Sequence, residues 1–194
     1  MNNEHEPLLK IKFEGVSIGP GKIPVPHLIK FLSNMSKALQ RTGRVLLGDA
    51  ESVHRGRQPR NISDEVALEL VLLTHGSPAT ILGFERLQGQ MALPGMELGP
   101  EIIEKALSGL GQIQEPGEVL PEGCDAGVLL AWRDVGVLFR KGVSSIQFTL
   151  NQRETPIVTS FTPEGFERIQ ERIKGPLTNI RTIEGRLLMA DFKE

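Results

Sequence analysis

The chain has 194 residues, 39% hydrophobic and 24% charged, with a net charge of −2 from 22 basic and 24 acidic residues. This composition suits one well-sized core and excludes a disordered chain, and the charge balance excludes a global field that would steer it onto nucleic acid or an anionic membrane. Met1 to Pro7 has neither a basic nor an apolar stretch, so it does not read as a secretory signal. No apolar run approaches the ~20 residues of a membrane span. The single cysteine, Cys124, permits no internal disulfide and fits a reducing cytoplasm. With no tyrosine, eight Phe and one Trp, the chain offers little for stacking single-stranded bases.

Leu9, Ile11 and Phe13 alternate with Lys10, Lys12 and Glu14, which predicts a half-buried strand. After a Gly/Pro turn at 15–24, a helix is expected from about Pro26, with Leu28, Phe31, Leu32, Met35 and Leu39 on one face and Gly48 as its stop. Residues 49–63 read as a polar loop. Two strands joined by the turn Thr74–Pro78 follow, the first with Val66, Leu68, Leu70 and Leu72 inward and Glu65 and Glu69 outward, the second with Leu82 and Phe84 on one face. A Gly/Pro/Met-rich connection at 88–99 leads to a helix opening at Gly99-Pro100-Glu101. Residues 114–125 read as a loop, and Asp125 as the N-cap of a third helix that is apolar nearly all round. Gly136 is its expected break, and Arg140-Lys141-Gly142 its end. Strands are expected around Ile146–Leu150 and Ile157–Thr159, then a short helix from Thr162-Pro163 to Gly175-Pro176.

Thr182 to Glu194 reads as a terminal strand, with the apolar run Leu187–Ala190 placing side chains on both faces. Either it closes the sheet of the preceding domain, or its pairing partner lies in a further small β unit beyond this chain. The expected division is therefore a globular domain over 1–175 and a terminal strand over 176–194. The order of elements points to an α+β fold, with a mostly antiparallel sheet and about four helices packed against it.

No constellation carries chemistry by its spacing. Gly15 to Lys22 departs from a phosphate loop: five residues separate Gly15 from Gly21, and Ile23 stands where Ser or Thr would hold magnesium. His5, His27, His54 and His75 show no metal-ligand spacing. Ser77 after His75-Gly76 lacks the second glycine of a nucleophile elbow. Cys124 sits at a helix start, where the dipole would lower a thiol pKa, but beside Asp125, which opposes that. No catalytic residue, metal site or cofactor is expected.

Two segments suit binding instead. His54, Arg55, Arg57 and Arg60, on a Gly/Pro-containing loop, can hold phosphates or an acidic partner. Met91, Leu93 and Met96, with Leu187 and Met189 of the terminal strand, can form an apolar docking patch, and an unpaired terminal strand would allow a homodimer. His75, Asp125, Arg133 and Asp134 are the polar groups nearest apolar elements, and would be the ones to assemble an enzyme site.

Gly76-Ser77-Pro78-Ala79-Thr80-Ile81-Leu82-Gly83-Phe84-Glu85 and Ile183-Glu184-Gly185-Arg186-Leu187-Leu188-Met189-Ala190-Asp191-Phe192-Lys193 resemble segments of a group of bacterial proteins. Some members of that group are encoded beside PIN-domain ribonuclease toxins and behave as antitoxins. The resemblance implies a protein partner of the toxin-nuclease kind, and a β unit and toxin-binding tail that continue beyond the last residue here. No functional residue is transferred by it. The function expected is a non-catalytic protein-interaction module, such as the N-terminal domain of an antitoxin-like regulator. The alternatives are nucleic-acid binding through the loop 54–60, and a small enzyme with a site not visible in sequence.

Overall fold

The computed structural model describes residues 7–16, 22–49, 52–53, 60–76, 79–86, 98–117, 119–152 and 154–175. Its strands are β1 (Leu9–Glu14), β2 (Leu68–Gly76), β3 (Ala79–Arg86), β4 (Ser145–Leu150) and β5 (Ile157–Phe161). Its helices are α1 (Val25–Leu46), α2 (Arg60–Glu65), α3 (Leu98–Ile113), α4 (Ala126–Gly136) and α5 (Pro163–Lys174), with a 3-10 turn at Val137–Lys141. The strands form one sheet in the order β2-β3-β1-β4-β5, with every neighbour antiparallel. This is the expected α+β architecture, with five helices among the described residues.

β1 is central because both of its edges find partners. Ile11 lies between Leu82 and Phe148, and Lys12 between Ile81 and Gln147. The period-2 alternation then sorts the faces: Leu9, Ile11, Phe13, Ile146, Phe148 and Leu150 are buried under the helices, while Lys10, Lys12, Gln147 and Thr149 stay half-buried on the open face. An aromatic chain runs through this layer: Phe13 meets Phe31 edge-on at 4.8 Å, and Phe31, Phe148, Trp132, Phe161, Phe139 and Phe166 follow in contact.

Local signals end the helices where the sequence reading places them. Gly48 takes φ +87° two residues after α1, and Gly142 takes φ +89° after the 3-10 turn. Asp125 caps α4 by accepting from the Val128 N–H, and Thr162 caps α5 by accepting from the Gly165 N–H. At Gly136 the α-helix gives way to the 3-10 turn. A Cβ there would lie 2.3 Å from Cδ2 of Phe166, so α4 and α5 touch closely at this point.

Three expectations change. Residues 60–65, read as the end of a loop, are α2, which buries Ile62 and the following Val66. Glu65 is therefore the last residue of α2 rather than an outward strand position, and its carboxylate accepts from the Gly99 N–H at 3.1 Å, capping α3 from outside. β2 begins at Leu68 and carries a bulge between Leu70 and Leu72, so its alternation breaks and Leu70 is 46% exposed rather than inward. The turn expected at Thr74–Pro78 is shorter, since β2 pairs as far as Gly76 opposite Ala79. The terminal strand and the division at 176 lie outside the described residues.

Candidate functional site

Of the basic loop, His54, Arg55 and Arg57 lie outside the described residues. Arg60 opens α2, and its side chain lies outside them too. Met91, Leu93, Met96, Leu187 and Met189 also lie outside. The structure does describe how the chain is anchored just before the basic loop. Asp125 accepts from the Ser52 N–H at 2.7 Å, from the Ser52 hydroxyl at 2.7 Å and from the Val128 N–H at 2.8 Å. Arg44, buried, donates to the Ser52 carbonyl at 3.3 Å. Gly127 makes this fit possible, since a Cβ there would lie 2.2 Å from Ser52 Oγ. One carboxylate thus caps α4 and pins the 52–53 segment.

Of the polar groups suggested for an enzyme site, those with described side chains, Asp125, Arg133 and Asp134, do not come together. Asp125 is committed to its cap, and Arg133 and Asp134 bond to each other at 2.8 and 3.1 Å. Asp125 and Asp134 are separated by roughly 13 Å of helix axis. His75 lies on β2 opposite Thr80, its side chain outside the described residues. Cys124 is buried, and burial, then the Asp125 charge, pushes its thiol up to about 12, so it is protonated and inert at neutral pH. Among the described residues no group of three or more His, Cys, Asp or Glu side chains could hold a metal ion. No helix among them is long and apolar enough to cross a membrane.

The feature that sequence reasoning missed is a polar groove of about 380 Å³ beside β5. Its floor is Val158, Thr159 and Ser160; its walls are the end of α3, at Gly111, Gln114 and Glu115, and the start of α5, at Thr162, Glu164, Gly165 and Arg168. Among the described residues β5 is an edge strand of the sheet, and Val158 is 56% exposed. Thr159 points the other way and ties the strand to α3, its hydroxyl donating to the Leu107 carbonyl at 3.2 Å.

Gln114 organises the groove. Its Nε2 donates to the Leu110 carbonyl at 3.0 Å and to the Ser160 carbonyl at 2.9 Å, and its Oε1 accepts from the Thr162 N–H at 3.3 Å. Its own carbonyl accepts from the Arg168 guanidinium. Arg172 reaches the Glu115 and Val119 carbonyls, so two arginines of α5 satisfy carbonyls at and beyond the α3 terminus. Glu164 is exposed, and its carboxyl is held below the usual range by its own backbone N–H and by the Thr162 hydroxyl.

Ser160 C=O and Thr162 N–H both turn away from β4, toward Gln114. Backbone groups alternate direction along an antiparallel strand, so the N–H and C=O of Val158 face outward as well. The groove therefore presents backbone hydrogen-bonding groups at its floor, two of which, Ser160 C=O and Thr162 N–H, are already taken by Gln114. No signal in the sequence marks Gln114: it lies where a helix gives way to a loop, and its partners are 46 and 48 residues away. No family model, curated protein or solved structure matches this chain.

Proposed function

We propose that this chain is a non-catalytic, cytoplasmic protein-interaction module that takes an extended segment of a protein partner against the β5 edge. The observation that carries this reading is the groove: an edge strand with outward backbone groups at Val158, flanked by walls from α3 and α5. Strand addition at such an edge draws its affinity from main-chain hydrogen bonds and its specificity from the walls. The walls favour a thin, single-stranded occupant over a second complete sheet. The resemblance of residues 76–85 and 183–193 to proteins encoded beside PIN-domain toxins supports the same class of function, and makes a small nuclease the first partner to try.

The test places a photo-crosslinking residue at position 158 and, as a control, at position 12 on the open face of the central strand β1, two strands from the edge. One stoichiometric adduct from 158 alone, identified by mass spectrometry in the natural cells, is the expected outcome. Equal capture from both positions, or none from 158, would reject the reading.

A further inference from the structure

We infer that Gln114 plugs the Ser160–Thr162 end of the β5 edge, leaving Val158 open, and that its side-chain amide, by standing in for one residue of a neighbouring strand there, keeps this edge from pairing with a second copy of the chain. The inference concerns the same edge as the proposal above but needs no partner protein, so each can fail without the other.

In a parallel bridge, one residue of a neighbouring strand gives its N–H to the carbonyl of residue i−1 and takes the N–H of residue i+1 on its C=O. Around Phe161, those two groups are Ser160 C=O and Thr162 N–H. The Gln114 amide meets both, as donor at 2.9 Å and acceptor at 3.3 Å. It therefore reproduces the bonding of one strand residue at the place where the next strand would start.

The amide is held to this task on three sides. Its remaining Nε2 hydrogen goes to the Leu110 carbonyl within α3. Its main-chain carbonyl is bonded by Arg168. Gly165 leaves the space it occupies, for a Cβ there would lie 1.9 Å from Gln114 Oε1. Gln114 is 8% exposed, so the plug is packed in place as well as bonded.

The occupant it excludes is a second β5. An antiparallel pairing of the strand with itself is isologous, each copy offering the same outward groups. In the register centred on Thr159, it uses Ser160 C=O as the acceptor for the Val158 N–H of the other copy. The Gln114 side chain already bonds that acceptor and stands in the path of an incoming strand there, so such a pairing would have to displace it. Exposed edges commonly carry a blocking device of this kind, because an open ladder recruits other strands.

The experiment compares the full chain with Q114A and with Q114M, the latter keeping most of the side-chain volume while removing the amide. Amide exchange is followed at Val158, Ser160 and Thr162, and association by sedimentation over a range of concentrations. In the unchanged chain, Thr162 should be protected and Val158 should exchange freely; the reverse would overturn the inference even if both variants failed to fold. In the folded variants, Thr162 exchange should accelerate about five- to tenfold, the loss of one ordinary hydrogen bond. The variants should also show a concentration-dependent dimer that the unchanged chain lacks and that adding V158P removes. A folded Q114M that stays monomeric, or a dimer indifferent to V158P, would overturn it.

Discussion

Cys124 and Asp125 are neighbours with opposite fates, and the difference lies in what surrounds each. The thiol finds no compensating cation strong enough to offset burial, so its pKa rises from 9.0 to about 12. The folded state therefore holds this proton more tightly than the unfolded one. Stability from this group is complete below pH ~9 and is lost as pH rises toward about 12. Denaturant titrations between those limits should show that decline, and it should be shallower in C124A. At neutral pH the thiol should resist a disulfide exchange reagent until the chain unfolds; rapid labelling of the native protein would contradict the burial. The Asp125 carboxylate instead receives three donors. D125A removes the α4 cap and strands the Ser52 hydroxyl and N–H together, so a loss of roughly 2–4 kcal/mol is expected from equilibrium unfolding.

Between elements, contacts are set by small residues and borrowed caps. Gly136 lets α4 approach the Phe166 ring of α5. G136A should cost roughly 1–3 kcal/mol by overpacking, although alanine is the better helix former in isolation. A G136A chain as stable as the original would mean that Phe166 can move aside. α3 is capped from a distance by Glu65 at the end of α2. E65A is expected to lower stability by about 1 kcal/mol, with faster exchange of the Gly99 amide as the local readout. α2 escapes sequence reading because six residues are too few to display a helical period. The spacing of Ile62 and Val66, four apart and both buried, was its only trace. The bulge at Leu70/Leu72 escapes for a related reason: LELVLL supports alternation in either register, and only the pairing with β3 decides where it slips.

At the scale of the whole molecule, the sheet and helix layers are joined by the aromatic chain from Phe13 to Phe166. Phe148 touches both Phe31 and Trp132, linking β4 to α1 and α4. F148A should cost roughly 3–5 kcal/mol and broaden the near-ultraviolet signal of Trp132. V158P, at a residue whose N–H faces away from β4 and has no ladder partner among the described strands, should leave the melting temperature within a few degrees of the original. A large loss from V158P would show that the Val158 N–H is engaged within the fold.

By itself, the sequence determined the α+β class, the central half-buried strand, the amphipathic first helix and the Asp125 cap, because periodicity and capping act over a few neighbouring residues. Those local rules place side chains on faces and end helices, and they hold whatever the chain folds against. Only the tertiary structure decided the strand order, the α3 cap from Glu65 and the groove beside β5. Each joins residues tens of positions apart, as Gln114 joins Ser160 and Thr162. Such meetings are set by how the layers pack, and a glutamine at a helix end looks the same in sequence whether it plugs a sheet edge or faces water.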